Sequence, residues 1–191
     1  MIKPLTMLMR IIFSRCWYVR TLVVACAICT MVSVVRAQTS NQLPPPTTHI
    51  NDFAGVIDIP VKNHLEGLLV GLKERTKIDF YVATVDATGG QDIAVFSRQL
   101  ATDWKIGTRT SATKSLLLVV AVASKTSVTQ LSRLVQSVLP EGILGDMGQQ
   151  MRDQLTAGRF TEAIEQGVLL FLNSIAPKLG FAVEDLSLIH I

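Results

Sequence analysis

Residues 115–123 read SLLLVVAVA, the most hydrophobic run beyond the amino-terminal segment. It shows no polar–apolar alternation and predicts a central strand covered on both faces. Leu117 and Val119 share one face, Leu118 and Val120 the other. Upstream, residues 105–114 (KIGTRTSATK) read as a polar loop, and Gln91 to Trp104 sets Ile93, Phe96, Leu100 and Trp104 on one helical face. Before that, Ile78 to Val85 (IDFYVATV) has the aromatic and β-branched content of a strand, closed by Asp86 and the Gly89-Gly90 turn. Val61, Leu65, Leu68, Leu69 and Leu72 recur at helical spacing and predict a first helix ending near Arg75-Thr76. Asp58 is its expected N-cap, and Pro60 suits the first turn, where its missing donor costs nothing.

Downstream, residues 124–127 (SKTS) predict a hairpin turn into a strand from Val128 to Val135, whose Gln130, Ser132 and Arg133 put it near an edge. After Leu139-Pro140, a helix uses Ile143 or Leu144, Met147, Met151 and Leu155 on its inner face. Gly142, Gly145 and Gly148 weaken it, which predicts close helix-to-sheet contact at those positions. A last helix is expected from Thr161 as cap, with Ile164, Val168, Phe171, Leu172 and Ile175 inward, stopped by Pro177. Two strands joined by a helix run parallel with a right-handed crossover, and the hairpin adds an antiparallel strand. The fold class is α/β, a three-layer α/β/α sandwich around a small mixed sheet.

The ends of the chain carry a different signal. Of 191 residues, 18 are Lys or Arg and 15 Asp or Glu. Residues 1–37 hold five of the basic residues, no acidic one, and all three cysteines. Basic residues precede the uncharged run Thr21 to Val35, and Val35-Arg36-Ala37 supplies small or β-branched residues before Gln38. That order predicts a secretory signal over 1–37, cleaved before Gln38. An uncleaved anchor through residues 16–35, or a lipoprotein modified at Cys26, are the competing readings. The protein is therefore expected to be exported, periplasmic or extracellular, or tethered to the membrane. The product from Gln38 has 13 basic and 15 acidic residues and no thiol, which excludes cysteine nucleophiles and cysteine-ligated zinc. Residues 38–49 (QTSNQLPPPTTH) form a proline-rich linker, residues 50–176 the domain, and residues 177–191 a tail. The tail's last six residues, LSLIHI, read as translated adapter sequence.

Chemistry is sparse. His49, His64 and His190 lack ligand spacing, and no phosphate-loop or nucleophile-elbow motif is present. Met147 and Met151 read as core. Basic residues form no stripe, so no nucleic-acid surface is expected. The candidates are carboxylates: Asp52 and Asp58 flank the entry to the first helix, and Asp86 and Asp92 bracket the glycine turn at the carboxyl end of a strand. Loop carboxylates can hold Ca²⁺ or Mg²⁺ through oxygen, and such an ion could activate water on a phosphoester. Asp58, Asp86 and Asp92 also have structural readings, as cap, turn and first-turn helix residue, whereas Asp52 has less obvious structural work. No cofactor is expected beyond a weakly held Ca²⁺ or Mg²⁺.

Asn51-Asp52-Phe53-Ala54-Gly55-Val56-Ile57-Asp58, Trp104-Lys105-Ile106-Gly107, the Leu116 to Ala121 strand, Leu139-Pro140 and Gly158-Arg159-Phe160 occur in an order that resembles the TPM domain family. The resemblance covers about residues 50–175 and implies a mixed sheet between helices in an exported or membrane-tethered protein. It also implies two kinds of function, because some plant thylakoid members are linked to acid phosphatase activity and photosystem repair, and an animal member modulates a receptor. Where the family carries an Asp-Asn-Gly-like run, this chain has Thr113-Lys114-Ser115, and Leu134-Val135-Gln136-Ser137 replaces a glycine-bearing segment. An ammonium at Lys114 would repel a cation held with Asp52 and Asp58. The expected function is a non-catalytic interaction or assembly module at the cell envelope, partnered by an envelope or membrane protein complex. The alternative is a divalent-metal-dependent acid phosphatase.

Overall fold

The computed structural model describes residues 43–187. The expected signal segment, linker residues 38–42 and the last four residues lie outside that range. The element order is β1 (Ile50–Asp52), α1 (Ile59–Thr76), β2 (Ile78–Val85), α2 (Ile93–Trp104), β3 (Lys114–Ala121), β4 (Thr126–Leu131), α3 (Arg133–Gln136), α4 (Ile143–Thr156), α5 (Phe160–Leu179) and α6 (Glu184–Ser187). The four strands form one sheet in chain order. β1, β2 and β3 are parallel, with Asp52 beside Thr84 and Ile78 beside Lys114, and β4 is antiparallel to β3.

The hydrophobic run of β3 is buried on both sides. Leu116, Leu118 and Val120 join Phe80, Val82 and the inner faces of α1, α4 and α5 in the larger core. Phe80 meets Phe171 of α5 edge-on at 4.9 Å between centroids. Leu117, Val119 and Ala121 form a smaller core with Phe96, Leu100 and Trp104 of α2. These are the three layers of the α/β/α sandwich, and the parallel pairing of β2 with β3 is as expected. Met147 and Met151 are buried in the larger core.

Several local expectations are corrected. β1 carries no strand signal because three residues are too few for alternation, and only its pairing to residues 82–84 makes it a strand. β4 occupies Thr126–Leu131 rather than Val128–Val135. The chain turns at 122–125, with Lys125 left-handed (φ 54°), and Arg133–Gln136 coils into a helical turn. α5 passes through Pro177 to Leu179 and ends on Gly180 at φ 72°. Proline accepts helical φ; its missing donor and the crowding of its ring against the carbonyl four residues back fall here near the helix end. Thr161 lies inside α5 rather than capping it, since Arg159 holds the cap position.

The glycines of α4 do not make the close contacts expected of them. A Cβ at Gly145 or Gly148 would meet nothing within 4 Å, and Gly142 is an N-cap with φ 83°. Close packing falls instead on Gly71 in α1, where a Cβ would collide with the carbonyl of Leu186. Leu186 is fully buried, so part of the stretch assigned to the tail packs onto α1.

Candidate functional site

The carboxyl ends of the parallel strands are where ligands bind in open α/β sheets, and Asp52 ends β1 there. Its Oδ1 accepts from the Val56 amide at 3.1 Å and from the Thr84 hydroxyl, and its Oδ2 accepts from the Ile57 amide at 3.1 Å. The Thr84 hydroxyl oxygen also accepts from the Ala54 amide at 3.2 Å. Thr161 reaches across from α5, donating to the Val56 carbonyl and accepting from the Asp58 amide, both at 3.1 Å. The segment 51–58 is thus a closed loop wrapped around one carboxylate, with Gly55 at φ 64° to complete the turn.

The other sequence candidates have separate positions. Asp58 is exposed at the N-cap of α1, but its side chain makes no capping bond there. Asp92 is the N-cap of α2, accepting from the Ala94 amide at 2.8 Å and the Val95 amide at 3.3 Å. Asp86 is exposed immediately after β2, where its carbonyl accepts from the Ala123 amide. Among the described residues, no three His, Cys, Asp or Glu side chains form a group that could hold a metal ion. The donor chemistry does not fit a Ca²⁺ or Mg²⁺ site, because the oxygens of Asp52 already face N–H and O–H donors. Lys114 plays no part here, contrary to the sequence argument. By register it starts β3 while Asp52 aligns with Val120, six residues further along, or about 20 Å at strand rise.

A second polar cluster, invisible in the sequence, lies beside β2 toward its amino end. His49 is 8% exposed and stacks on Tyr81 with centroids 5.0 Å apart. Its Nδ1 is 3.0 Å from Glu66 Oε1 and its Nε2 is 3.5 Å from Asp79 Oδ1, which Lys73 Nζ approaches to 2.8 Å. Glu66 also accepts from the His49 and Ile50 amides at 2.9 and 2.8 Å. Burial pushes the Glu66 carboxyl up, but the bonds from the His49 ring and the two amides outweigh it and hold its pKa below the ordinary value. Burial, with the Asp79 charge adding to it, pushes the Tyr81 phenol up. A carboxylate made less basic and a phenol made less acidic are poor proton carriers near neutrality. The cluster anchors the end of the linker to α1 and β2. His49 sits 17 residues from Glu66 and 30 from Asp79, so no local motif announces it.

The third feature runs along α4 beside the outer strand. Two adjoining cavities of about 370 and 330 Å³ share Leu144 and Gly145. The first is lined by Leu131, Leu139 and Ile143, the second by Lys125, Gly148 and Arg152.

Residues 50–172 match the TPM domain. Among solved structures, the N-terminal domain of a protein from P. gingivalis is similar at 22% identity and a TM-score of 0.64, over 71% of this chain and 86% of that one. The N-terminal domain of the cg2496 protein from Corynebacterium glutamicum is 12% identical with a TM-score of 0.54, over 70% of this chain and 84% of that one. The BA42 protein from the psychrophilic bacterium Bizionia argentinensis is 15% identical with a TM-score of 0.54, over 68% and 88%. These likenesses concern the fold alone. No curated protein matches the chain.

Proposed function

The chain belongs to the TPM domain family, and on that premise we propose that it is an exported, non-catalytic interaction or assembly module working at the cell envelope. The observation that carries this reading is the commitment of Asp52. Its carboxylate closes the 51–58 loop through two amides and the Thr84 hydroxyl, so the family-like opening segment serves as structure rather than as a site open to substrate. Export rests on the order of charges and apolar residues in 1–37. The partner is an envelope or membrane protein complex. Among the described residues no helix is long and apolar enough to cross a membrane, and the tether proposed is residues 16–35.

The test pairs two measurements on the exported chain. Crosslinking in intact cells should capture a discrete envelope partner, and a phosphomonoester assay with Mg²⁺ or Ca²⁺ should give no turnover that depends on Asp52. Phosphatase activity that falls sharply in Asp52→Asn, with the fold retained, would replace this reading with the metal-dependent acid phosphatase.

A further inference from the structure

β4 is an edge strand, and its outer side is bare. The Ser132 amide donates to the Ser115 carbonyl, which fixes the ladder so that Thr126, Val128 and Gln130 direct their backbone groups toward β3. Ser127, Thr129 and Leu131 then direct their N–H and C=O groups outward. Those groups find no hydrogen-bond partner among the described residues. An uncovered edge of this kind is a template for another strand.

The surface beside this edge has the form of a receptor. α4 runs along it, and Gly145 and Gly148 face the two cavities with open space where a side chain would be. Neither glycine has a positive φ, and neither is needed for internal packing. What their missing side chains do is keep the groove clear. The groove is also polarised. Its end near Leu131 is mainly apolar, with Leu139, Ile143 and Leu144, and its one charged residue, Glu141, is acidic. Its end near Ser127 carries Lys125 and Arg152. Lys125 Nζ donates to the Thr156 carbonyl at 2.8 Å, while the Arg152 guanidinium has no partner among the described residues.

We infer that the open edge of β4 and the groove along α4 bind an extended peptide segment of a partner protein as a fifth strand, reading an apolar residue at one end and a carboxylate at the other. Side chains on one face of a strand recur every second residue. Leu131 and Ser127 are four residues apart, about 13 Å at strand rise, so the apolar residue and the carboxylate stand four positions apart in the peptide. The main-chain ladder supplies affinity and the two pockets supply selectivity, the usual division in strand addition. This inference rests on the interaction-module reading and names the surface and the chemistry of what it binds.

The probe is an alternating peptide of about eight residues with Leu and Glu four positions apart, made in both orders, titrated into the exported chain by fluorescence anisotropy. Binding by either order is expected. It should weaken about tenfold or more when Glu is replaced by Lys or when the amides facing β4 are N-methylated. Gly148→Leu puts a side chain into the groove from a Cβ position with nothing within 4 Å, and Arg152→Glu reverses its charge. Each should weaken binding to a similar degree without lowering the circular-dichroism melt, which Gly148→Leu should raise slightly through helix propensity. Equal binding by both variants, equal binding by the N-methylated peptide, or no binding at about 1 mM would overturn the inference. So would self-association of the chain through this edge, since the occupant would then be a second copy. Envelope crosslinking that persists unchanged in Gly148→Leu would remove this site and leave the module reading standing, whereas Asp52-dependent phosphatase turnover would remove the module reading itself.

Discussion

Asp52 and Glu66 are two carboxylates in the same domain that hold backbone amides. Asp52→Ala would strand the Val56 and Ile57 amides and the Thr84 hydroxyl. With charged hydrogen bonds worth about 1.5–3 kcal/mol each and the loop free to admit water, a net loss of about 2–3 kcal/mol is expected in urea unfolding. Asp52→Asn keeps one acceptor oxygen and should lose less than half of that. Calcium at about 1 mM should add no more than about 0.4 kcal/mol, the linkage term for a ligand near its dissociation constant. A melting shift of several degrees that Asp52→Asn abolishes would show a metal site instead. Glu66 makes a prediction in pH. Its folded pKa lies below the ordinary 4.5, so its contribution is complete above that value and is lost as pH falls below it toward the folded pKa. Urea midpoints measured downward from pH 6 should therefore fall less steeply on the acid side in Glu66→Gln, and an unchanged acid limb would refute the role given to His49 and Ile50. Neither carboxylate's role could be taken from sequence. The position of Asp52 near a helix entry marks it in the sequence, but its Thr84 partner is 32 residues away, and Glu66 lies on a helix where an acidic residue is ordinary.

At the level of elements, the glycines carry the sharpest contrast. Gly71 lies where α6 lands on α1, and a Cβ there would press on the Leu186 carbonyl. Gly71→Ala should cost about 1–3 kcal/mol through displaced backbone. In a chain ending at residue 180 that obstacle is gone, and the same change should stabilise by about 0.5–1 kcal/mol through helix propensity alone. A double-mutant cycle in urea measures the difference, and equal effects in both lengths would sink the docking role of α6. Gly148→Ala has open space around it and should stabilise by about 1 kcal/mol in either length. β3 gives the complementary case. Leu118 is 1% exposed in the larger core, so Leu118→Ala should cost about 2–5 kcal/mol, and a loss under about 1 kcal/mol would place it on an open face. The elements most legible in the sequence were those with a long periodic pattern, α1, β2, α2 and β3. β1 and the turn at Arg133–Gln136 were missed because three or four residues offer no period to read.

Over the described residues the sandwich is unevenly covered, with α1, α4 and α5, joined by Val135 of α3 and Leu186 of α6, on one face and α2 alone on the other. Secreted by a competent host, the mature chain should begin at Gln38 by N-terminal sequencing or intact mass. A product that keeps Cys16 and Trp17 would rule out cleavage there. The sequence alone determined the three-layer class, the parallel pairing of the two long strands, the doubly buried β3 and the kinship to the TPM domain. Each of these follows from hydrophobic period, from connection length or from an ordered set of short motifs, all properties carried along the chain. The tertiary structure alone decided that Asp52 is a loop closure, that Lys114 stands at the far end of the sheet from it, and that His49 belongs to a buried cluster. It also decided that α4 keeps its glycines beside an open edge rather than against the sheet. Apart from the nearby Val56 and Ile57 amides on Asp52, these depend on side chains and backbone groups brought together from 17 to 105 residues apart. A contact across such a distance is fixed by packing and register, and leaves no periodic mark in either of the segments it joins.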